Sequence, residues 1–193
     1  MPSNKNELAA RIALTKPTDS VRGIFFRVVF ELIERKGGPQ ALRQVRSGSL
    51  AKDIADLRTY PASDYLTMLY GAADVLEGQL GNENRVFNAC GRACVQNFSK
   101  GPGQVVFGIL GKGDPQRLFA QTRVAFSTVV TYGKREHSPA GSKGCILTYR
   151  GDMQPAAYHV GIFEGALEAL GFKGVVRANV LGLDSVDYEI SWE

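Results

Sequence analysis

Cysteine and histidine are the residue types in this sequence that could hold a metal ion. Cys90 and Cys94 stand four residues apart, so a helix through them would present both thiols on one face. A closed zinc site needs four ligands, and the chain offers only Cys145, His137 and His159 besides these two. Because free cysteine is readily buried, the pair is better interpreted as small core residues. We therefore predict no metal site.

Residues for acid–base or nucleophilic catalysis are scarcer still. With two histidines there is little room for a nucleophile, a base and an orienting group, and the motifs GxSxG and HExxH are absent. His137 falls in a polar segment, whereas His159 falls in a predicted helix and faces either the sheet or water. Glu164 and Glu168 stand one turn apart on that helix, which suits a solvated face better than an acid/base pair. We expect a protein that is not an enzyme.

Two short motifs are interpreted as structural. The segment 101–115 (GPGQVVFGILGKGDP) resembles a phosphate-binding loop, but its Gly-Lys pair is followed by Gly113 instead of serine or threonine, and Val106 stands where the first glycine is needed. We predict a loop with a short apolar turn. The tripeptide Arg-Gly-Asp at 150–152 matters for binding only on an extracellular surface, so we expect it to leave a strand and cap the next helix.

Length and composition limit the class of protein. The 193 residues, of which 44% are apolar, can bury one sizeable core. No window approaches eighteen consecutive apolar residues, and the first ten residues lack the pattern of a secretory signal. Three cysteines, an odd number, agree with a reducing compartment. We expect a cytoplasmic protein without a membrane span.

The positive charge of the chain is modest. The net charge is +4: residues 1–60 carry eleven Lys or Arg against six Asp or Glu, and residues 61–193 carry twelve against thirteen. No recognition-helix or aromatic-stacking motif accompanies the basic residues. We predict no nucleic-acid partner.

Helical patterns begin near the N-terminus. Residues 1–15 predict a short helix or a frayed extension. From Val21 onward, apolar residues recur three and four apart, which predicts a helix capped by Asp19 or Ser20 and stopped at Gly37-Gly38-Pro39.

Further helices are predicted up to residue 132. One or two short helices fit residues 39–58, and a longer one should run from near Ser63 to Gly81. Another fits 82–98, and Asp114 followed by proline is typical of a helix start. Together these segments predict a helical layer of four to five helices.

The last part of the chain predicts a sheet. Strands at 133–138 and 145–150 should form a hairpin, a helix should cover 155–170, and strands at 174–181 and 186–192 should form a second hairpin. The residues expected to face inward on the last strand are Val186, Tyr188, Ile190 and Trp192. The predicted class is α+β, with the helical layer packed on a C-terminal four-stranded, mainly antiparallel sheet in the order β-β-α-β-β. We assign residues 1–19 to the extension or short helix and 20–193 to a single domain.

Several motifs in this order resemble a known superfamily. They are the run Val21-Arg22-Gly23-Ile24-Phe25-Phe26, the pair Tyr60-Pro61 before a long helix, and the closing order of strand, strand, helix, strand, strand. They resemble the haem nitric oxide/oxygen-binding superfamily, which includes 4-vinyl reductase-type domains and Bet3-type trafficking subunits. The chain resembles more closely an uncharacterised myxobacterial paralogous family, through its RGIFF start, its DP-initiated helix and the helix YHVGIFEGAL at 158–167. The similarity spans most of residues 20 to 192.

The resemblance implies a pocket between the helical layer and the sheet, used in these relatives for haem, small hydrophobic molecules or an acyl chain. We expect a non-catalytic sensory or regulatory domain that binds a small hydrophobic or acyl ligand there. Aromatic residues should wall the pocket, and an arginine should anchor an acidic head group. The candidate ligand-binding residues are Phe25, Phe26, Phe30, Phe119, Phe126, Tyr149, Arg150 and Tyr158.

We expect no haem and no other cofactor. A haem-binding relative supplies an axial histidine from the helix before the sheet, and residues 114–132 contain none. The propionate-clamping pattern Tyr-x-Ser-x-Arg is also missing, since Gly151 and Met153 stand at the matching positions after Tyr149. The alternative is a ligand-free protein-interaction or homodimerisation module, its pocket filled by its own aromatic residues. A contiguous cavity would favour the ligand-binding domain, and a large exposed apolar patch the interaction module.

Overall fold

The longer helices and the four C-terminal strands follow the predicted order along the chain, whereas the short strands at 20–22 and 59–61 were not predicted. The computed structural model describes residues 4–47, 53–98 and 113–193. The helices are α1 (Lys5–Leu14), α2 (Gly23–Arg46), α3 (Ala62–Leu80), α4 (Glu83–Phe98), α5 (Pro115–Ala120), α6 (Thr122–Ser127) and α7 (Ala156–Ala169). The strands are β1 (Ser20–Arg22), β2 (Thr59–Pro61), β3 (Lys134–Pro139), β4 (Gly144–Arg150), β5 (Gly174–Gly182) and β6 (Ser185–Trp192). The predicted glycine-rich loop lies, up to residue 112, outside the described residues. Within the described ranges, no helix has both the length and the apolar character that crossing a bilayer requires.

The start of α2 differs from the prediction. The expected cap at Asp19 or Ser20 is wrong, because β1 pairs antiparallel with β2 and the helix begins only at Gly23. A Cβ at Gly23 would lie 2.1 Å from the carbonyl oxygen of Ala55, so only glycine fits this position. The helix starts where the strand pairing ends, which the local sequence pattern does not reveal.

The predicted stop at residues 37–39 is a kink. Gly38 has φ +77° and ψ 177°, outside helical geometry, and the helix then resumes from Pro39 to Arg46. Glycine tolerates the positive φ, and proline is favourable in the first turn of a resumed helix. The short helix predicted after residue 39 is therefore the second half of α2.

The next helices agree better with the sequence. The predicted helices from near Ser63 and over 82–98 are confirmed as α3 and α4, and Gly81 ends α3 with φ +102°. Asp114 caps α5, since its carboxylate accepts a hydrogen bond of 2.9 Å from the N–H of Gln116. The single helix predicted from there is interrupted at Gln121, so α5 and α6 are two short helices.

The C-terminal sheet and the α+β class are confirmed. The strand order is β3-β4-β6-β5, and every neighbouring pair is antiparallel. The predicted inward residues of β6 are all buried, whereas β5, at the sheet edge, is exposed along most of its length. Helix α7 joins the two hairpins, and Gly171, just after its C-cap residue Leu170, adopts φ +81°.

Helix α7 packs closely against α4 on one side and against the sheet on the other. A Cβ at Gly91 of α4 would lie 2.0 Å from the carbonyl oxygen of Tyr158, and one at Gly161 of α7 would lie 2.0 Å from that of Asn88. Both contacts are with backbone, which cannot yield without moving a helix. Glycine is therefore needed on each helix for the two backbones to approach.

The acidic residues of α7 lie at this helix–helix contact. Arg92 of α4 forms ion pairs with Glu164 at 2.7 Å and Glu168 at 2.5 Å. The prediction of a merely solvated face is wrong for Glu164, whose side chain is 27% exposed and also accepts a hydrogen bond from Asn88.

Buried apolar side chains form two clusters. The helical cluster lies mainly among α2, α3 and α4, and the sheet-side cluster lies mainly between α7 and the sheet. Phe126 packs against both. Cys90, Cys94 and Cys145 are 0%, 2% and 1% exposed, which agrees with their interpretation as core residues.

Candidate functional site

Three polar side chains lie buried together between the helical layer and the sheet. Arg135 donates a hydrogen bond from Nη2 to Oδ2 of Asp152, and Oδ1 of the same carboxylate lies 3.2 Å from Nε2 of His159. The three side chains are 4%, 2% and 0% exposed. We call Arg135, Asp152 and His159 the interlayer cluster. Their spacing in the sequence does not indicate that these residues meet.

Local geometry explains why the three residues meet. Alternate side chains of β3 face the helices, which turns Arg135 inward opposite Tyr149 of β4. After β4, Gly151 adopts φ +68°, and the chain turns so that Asp152 is buried. His159 is in the first turns of α7 and faces the sheet, since its ring lies 5.0 Å from that of Tyr149.

The predicted role of Asp152 as a helix cap is wrong. Pro155 occupies the N-cap position of α7. Asp152 accepts a hydrogen bond of 3.4 Å from the backbone N–H of Gln154, and its other contacts are with Arg135 and His159. Burying a carboxylate without charged or hydrogen-bonding partners costs more free energy than leaving a helix without a side-chain cap, so Asp152 pairs with Arg135 and His159.

The electrostatics of the cluster keep Asp152 ionised. Burial alone raises the pKa of its carboxyl, but attraction to His159 and Arg135, together with hydrogen bonds from His159 and the Gln154 backbone, lowers the pKa to about 2. The pKa of the adjacent Tyr149 shifts in the other direction, because burial raises the pKa of its hydroxyl well above the usual value. Tyr149 therefore stays protonated. At neutral pH Asp152 is therefore a carboxylate, and it lies between the side chains of Arg135 and His159.

Aromatic rings enclose the cluster. The guanidinium carbon of Arg135 lies 4.5 Å from the ring centre of Phe126 and 5.1 Å from that of Tyr149, both within cation–π range. On the other side, Phe163 is stacked on His159 with ring centres 6.2 Å apart. The polar groups of the cluster are therefore bordered by aromatic side chains from α6, β4 and α7.

Four buried polar atoms around the cluster have no hydrogen-bond partner among the described residues. They are Arg135 Nε, Tyr149 Oη, His159 Nδ1 and Gln154 Oε1. Two further contacts are marginal: His159 Nε2 faces Asp152 at 3.2 Å without a well-aligned hydrogen bond, and the Tyr149 hydroxyl lies close enough to the Arg135 side chain for that contact to act on its pKa. Buried polar atoms in folded proteins are nearly always hydrogen-bonded, to protein or to water. Such a concentration is unfavourable for a dry core, and a further molecule between the layers, either ordered water or a polar group of a ligand, would supply the missing hydrogen bonds.

A surface cleft lies against one side of the cluster. Two adjoining depressions, with volumes of about 430 and 370 Å³, run along α6 and β3 and share Arg123, Arg135 and Glu136. His137 lines one depression and Lys134 the other. We call these five residues and the space they line the α6–β3 cleft. Each volume is within the usual range for small-molecule sites.

The N-terminal helix reaches the same region through Arg11. This side chain is buried and donates hydrogen bonds of 2.9 Å to the carbonyl oxygen of Met153 and 2.5 Å to that of Leu183. It also donates to the hydroxyl of Tyr70 at 3.0 Å and pairs with Glu7. Helix α1 is therefore tied to the loop that carries Asp152.

The predicted wall residues are divided between the two core clusters. The helical cluster contains Phe25, Phe26, Phe30 and Tyr158, and the sheet-side cluster contains Phe119 and Tyr149. Phe126 joins Tyr149 at the guanidinium of Arg135. Phe30 lies elsewhere, in a separate surface depression where the guanidinium of Arg46 is 4.7 Å from its ring centre.

Arg150 faces away from the helical layer. It forms an ion pair of 2.7 Å with Asp187 and donates hydrogen bonds to the carbonyl oxygens of Tyr149 and Val186. The arginine on the inner face of the sheet is Arg135, which the sequence analysis did not single out. The sequence did contain one signal for Arg135, because it is a charged residue at an inward-facing position of the strand predicted at 133–138.

Solved structures of H-NOX proteins share this fold. The Fe(II) unliganded H-NOX protein from K. algicida matches with a TM-score of 0.70 and 12% identity, over 89% of this chain and 96% of that chain. The H-NOX domain from Shewanella oneidensis in the Fe(II)CO state matches with a TM-score of 0.71 and 14% identity, over 89% and 98%. At such low identity the likeness establishes the fold alone. The fold expected from the resemblance is confirmed.

The described residues do not fit a haem between the layers. Residues 114–132, which include α5 and α6, contain no histidine. His159 lies on α7, after β4, with Nε2 directed at Asp152, so it is not on the helix before the sheet that supplies the axial ligand in a haem-binding relative. No group of three or more His, Cys, Asp or Glu within the described ranges is arranged to hold a metal ion.

The family relationship comes from the sequence itself. A comparison with curated proteins gives no match. One family model, described as a protein of unknown function, matches residues 14–193, which takes in every element from β1 to β6. The chain therefore belongs to the DUF2378 family.

Proposed function

We propose that this chain is a non-catalytic sensory or regulatory domain that binds a small hydrophobic or acyl ligand between the helical layer and the sheet, without haem. The observation that carries this proposal is the group of unpartnered buried polar atoms at the interlayer cluster, beside the α6–β3 cleft. Polar atoms without partners are costly in a core, and a polar group of a bound ligand, like an ordered water, would supply the missing contacts. The H-NOX-like fold supports the same proposal by analogy.

The contacts of the cluster also suit a regulatory role. Arg135 lies on β3, Asp152 in the loop after β4 and His159 on α7. A ligand that contacts Arg135 would alter an ion pair shared by these elements. The loop that holds Asp152 is bound by Arg11 of α1, so the N-terminal helix is the nearest element to respond.

The chemistry of the thiols supports a non-catalytic role. Burial raises the pKa of Cys94 to about 11 and that of Cys145 to about 12, and it raises the pKa of Cys90 further still. The thiolate is the nucleophilic form of cysteine, and it is scarce at neutral pH in such surroundings.

Mass spectrometry of the purified chain under native and denaturing conditions tests the proposal. Extra mass that is lost on denaturation, with no haem absorbance in the visible spectrum, is the expected result. Replacing Phe126 by alanine should reduce the ligand occupancy, because its ring covers Arg135 beside the cleft. Phe172→Ala is the control, since Phe172 is also a partly buried phenylalanine packed against the sheet-side cluster but does not line the cleft. A bare polypeptide mass in every preparation, including lipid-supplemented ones, would contradict the proposal.

A second candidate function, a protein-interaction or dimerisation module, is favoured by the edge strand. Val175, Val180 and Leu181 of β5 are 53%, 57% and 58% exposed. An exposed apolar edge strand is a ready pairing surface for another chain. Light scattering coupled to size exclusion distinguishes the two candidates: a dimer of the 20.9 kDa chain that Val180→Lys converts to a monomer would support this module.

A further inference from the structure

We infer that the α6–β3 cleft binds the acidic head group of the ligand, a carboxylate or phosphate whose oxygens accept hydrogen bonds from Arg135 and His137. This inference rests on the proposed function and adds the chemical class of the ligand and the place where it is recognised. The site is distinct from Arg150, which lies on the opposite face of the sheet.

The hydrogen-bonding groups of the cleft lack acceptors. Arg135 is 6% exposed, and its Nη atoms donate to Tyr132 and Asp152, whereas its Nε makes no well-aligned hydrogen bond among the described residues, although the Tyr149 hydroxyl lies near the Arg135 side chain. His137 follows two residues later on the same face of β3, and its buried Nε2 is also unpartnered. Both line the cleft. A molecule with acceptor oxygens is the chemical complement of two such nitrogens.

The charges of the cleft favour an anion. Arg135 is balanced by Asp152. Lys134 and Glu136, which alternate with Arg135 along β3, offset each other. Arg123 of α6 lines both depressions and forms no ion pair within the part of the chain that the structure describes. One positive charge is therefore left over, and one anionic head group would balance it.

The titration of His137 agrees with this role. Burial lowers the pKa of its imidazole, so the ring is neutral at pH 7 and can donate through Nε2 in one tautomer. In the cleft, an anion would accept hydrogen bonds from the charged Arg135 and the neutral His137, and the positive charge of Arg123 would attract it. Hydrogen bonds from an ionised donor to an ionised acceptor are stronger than neutral ones.

Calorimetric titration of the delipidated full chain with decanoate, decyl phosphate and decanol tests the inference. These probes share the chain length and differ in the head group. We expect the two anions to bind about tenfold or more tightly than decanol, because one desolvated charge–charge contact is of that strength. Arg123→Gln should weaken the binding of both anions by about fivefold and leave decanol unchanged, and raising the salt concentration should have the same effect.

The control variant is Arg177→Gln, which removes the same charge from the exposed face of β5 and should leave all three affinities unchanged. If decanoate and decanol bind with equal affinity, the inference that the cleft recognises an acidic head group is wrong, whereas the proposed binding of a hydrophobic ligand is supported. Equal weakening by Arg123→Gln and Arg177→Gln would overturn the cleft as the site. Inorganic phosphate is also tested alone, by its effect on the melting temperature. If it raises the melting temperature of the wild type but not of Arg123→Gln, and no decyl compound binds, the cleft is an anion site and the proposed hydrophobic ligand is wrong. The tighter binder of decanoate and decyl phosphate shows whether the head group is a carboxylate or a phosphate.

Discussion

Replacing Asp152 by asparagine removes the negative charge of the interlayer cluster and little else. The amide has nearly the same size and still accepts a hydrogen bond, but the guanidinium of Arg135 is left buried without a counterion. Breaking a buried ion pair from one side costs about 3–5 kcal/mol. We expect D152N to lower the free energy of unfolding at pH 7 by about that amount.

The pH dependence of stability gives a second estimate of how much the ionised Asp152 contributes to the free energy of unfolding. Folding lowers the pKa of Asp152 from 3.8 to about 2, and one pKa unit corresponds to about 1.4 kcal/mol, so its ionisation stabilises the fold by ~2 kcal/mol. Because the folded pKa lies below the unfolded one, this contribution is complete above about pH 4 and is lost as the pH falls toward 2. Asparagine does not titrate. The difference in stability between wild type and D152N should therefore shrink at low pH.

Urea unfolding at pH 7 and at pH 3, followed by tryptophan fluorescence, measures both effects. Trp192 is the single tryptophan and is 5% exposed, so it reports on the loss of the core. Asp187→Asn is the matched control, because it makes the same change in an ion pair with Arg150 whose side chains are 39% and 29% exposed. There we expect at most ~1 kcal/mol. Equal losses in the two variants, or a difference that does not change with pH, would refute the reasoning.

Three further predictions concern packing and reactivity. Trp192→Ala removes a ring 5.8 Å from that of Phe119 and should cost about 3–5 kcal/mol in a melt followed by circular dichroism, whereas a near-neutral result would mean that β6 is not packed as described. Gly161→Ala, which sets a Cβ 2.0 Å from a carbonyl oxygen, should lower the Tm by ~5 °C or more, while Gly78→Ala, where the space is open, should leave it unchanged or raise it. The buried thiols, including Cys94 with its pKa raised to about 11, should resist a disulfide reagent at pH 8 until the chain unfolds, and rapid labelling of the folded protein would contradict this.

Local patterns were sufficient for most of the helices and strands. The alternation along β6 and the apolar spacing of α3 and α7 reflect which side of one element is buried, and burial leaves a period of 2.0 or 3.6 in the sequence. The end of α7 was equally readable, because Gly171 adopts a conformation that favours glycine. Such features depend on a residue and its near neighbours.

Elements that depend on distant partners were misplaced. The start of α2 is set by pairing of β1 with β2, which lies beyond the whole of α2 in the chain. The contact of α4 with α7 is set by Gly91 and Gly161, whose need for close approach is visible only once the helices are packed. Neither constraint leaves a local period.

The sequence by itself determined the α+β class, the order of the elements, the burial of the cysteines and the inward face of the last strand. Only the tertiary structure decided the site: it turned Arg150 outward, turned Arg135 inward and brought Asp152 and His159 to it. The physical reason is that apolar burial acts on each element separately and leaves a repeating pattern. A buried ion pair acts between single residues of different elements, and its partners are chosen by how those elements pack.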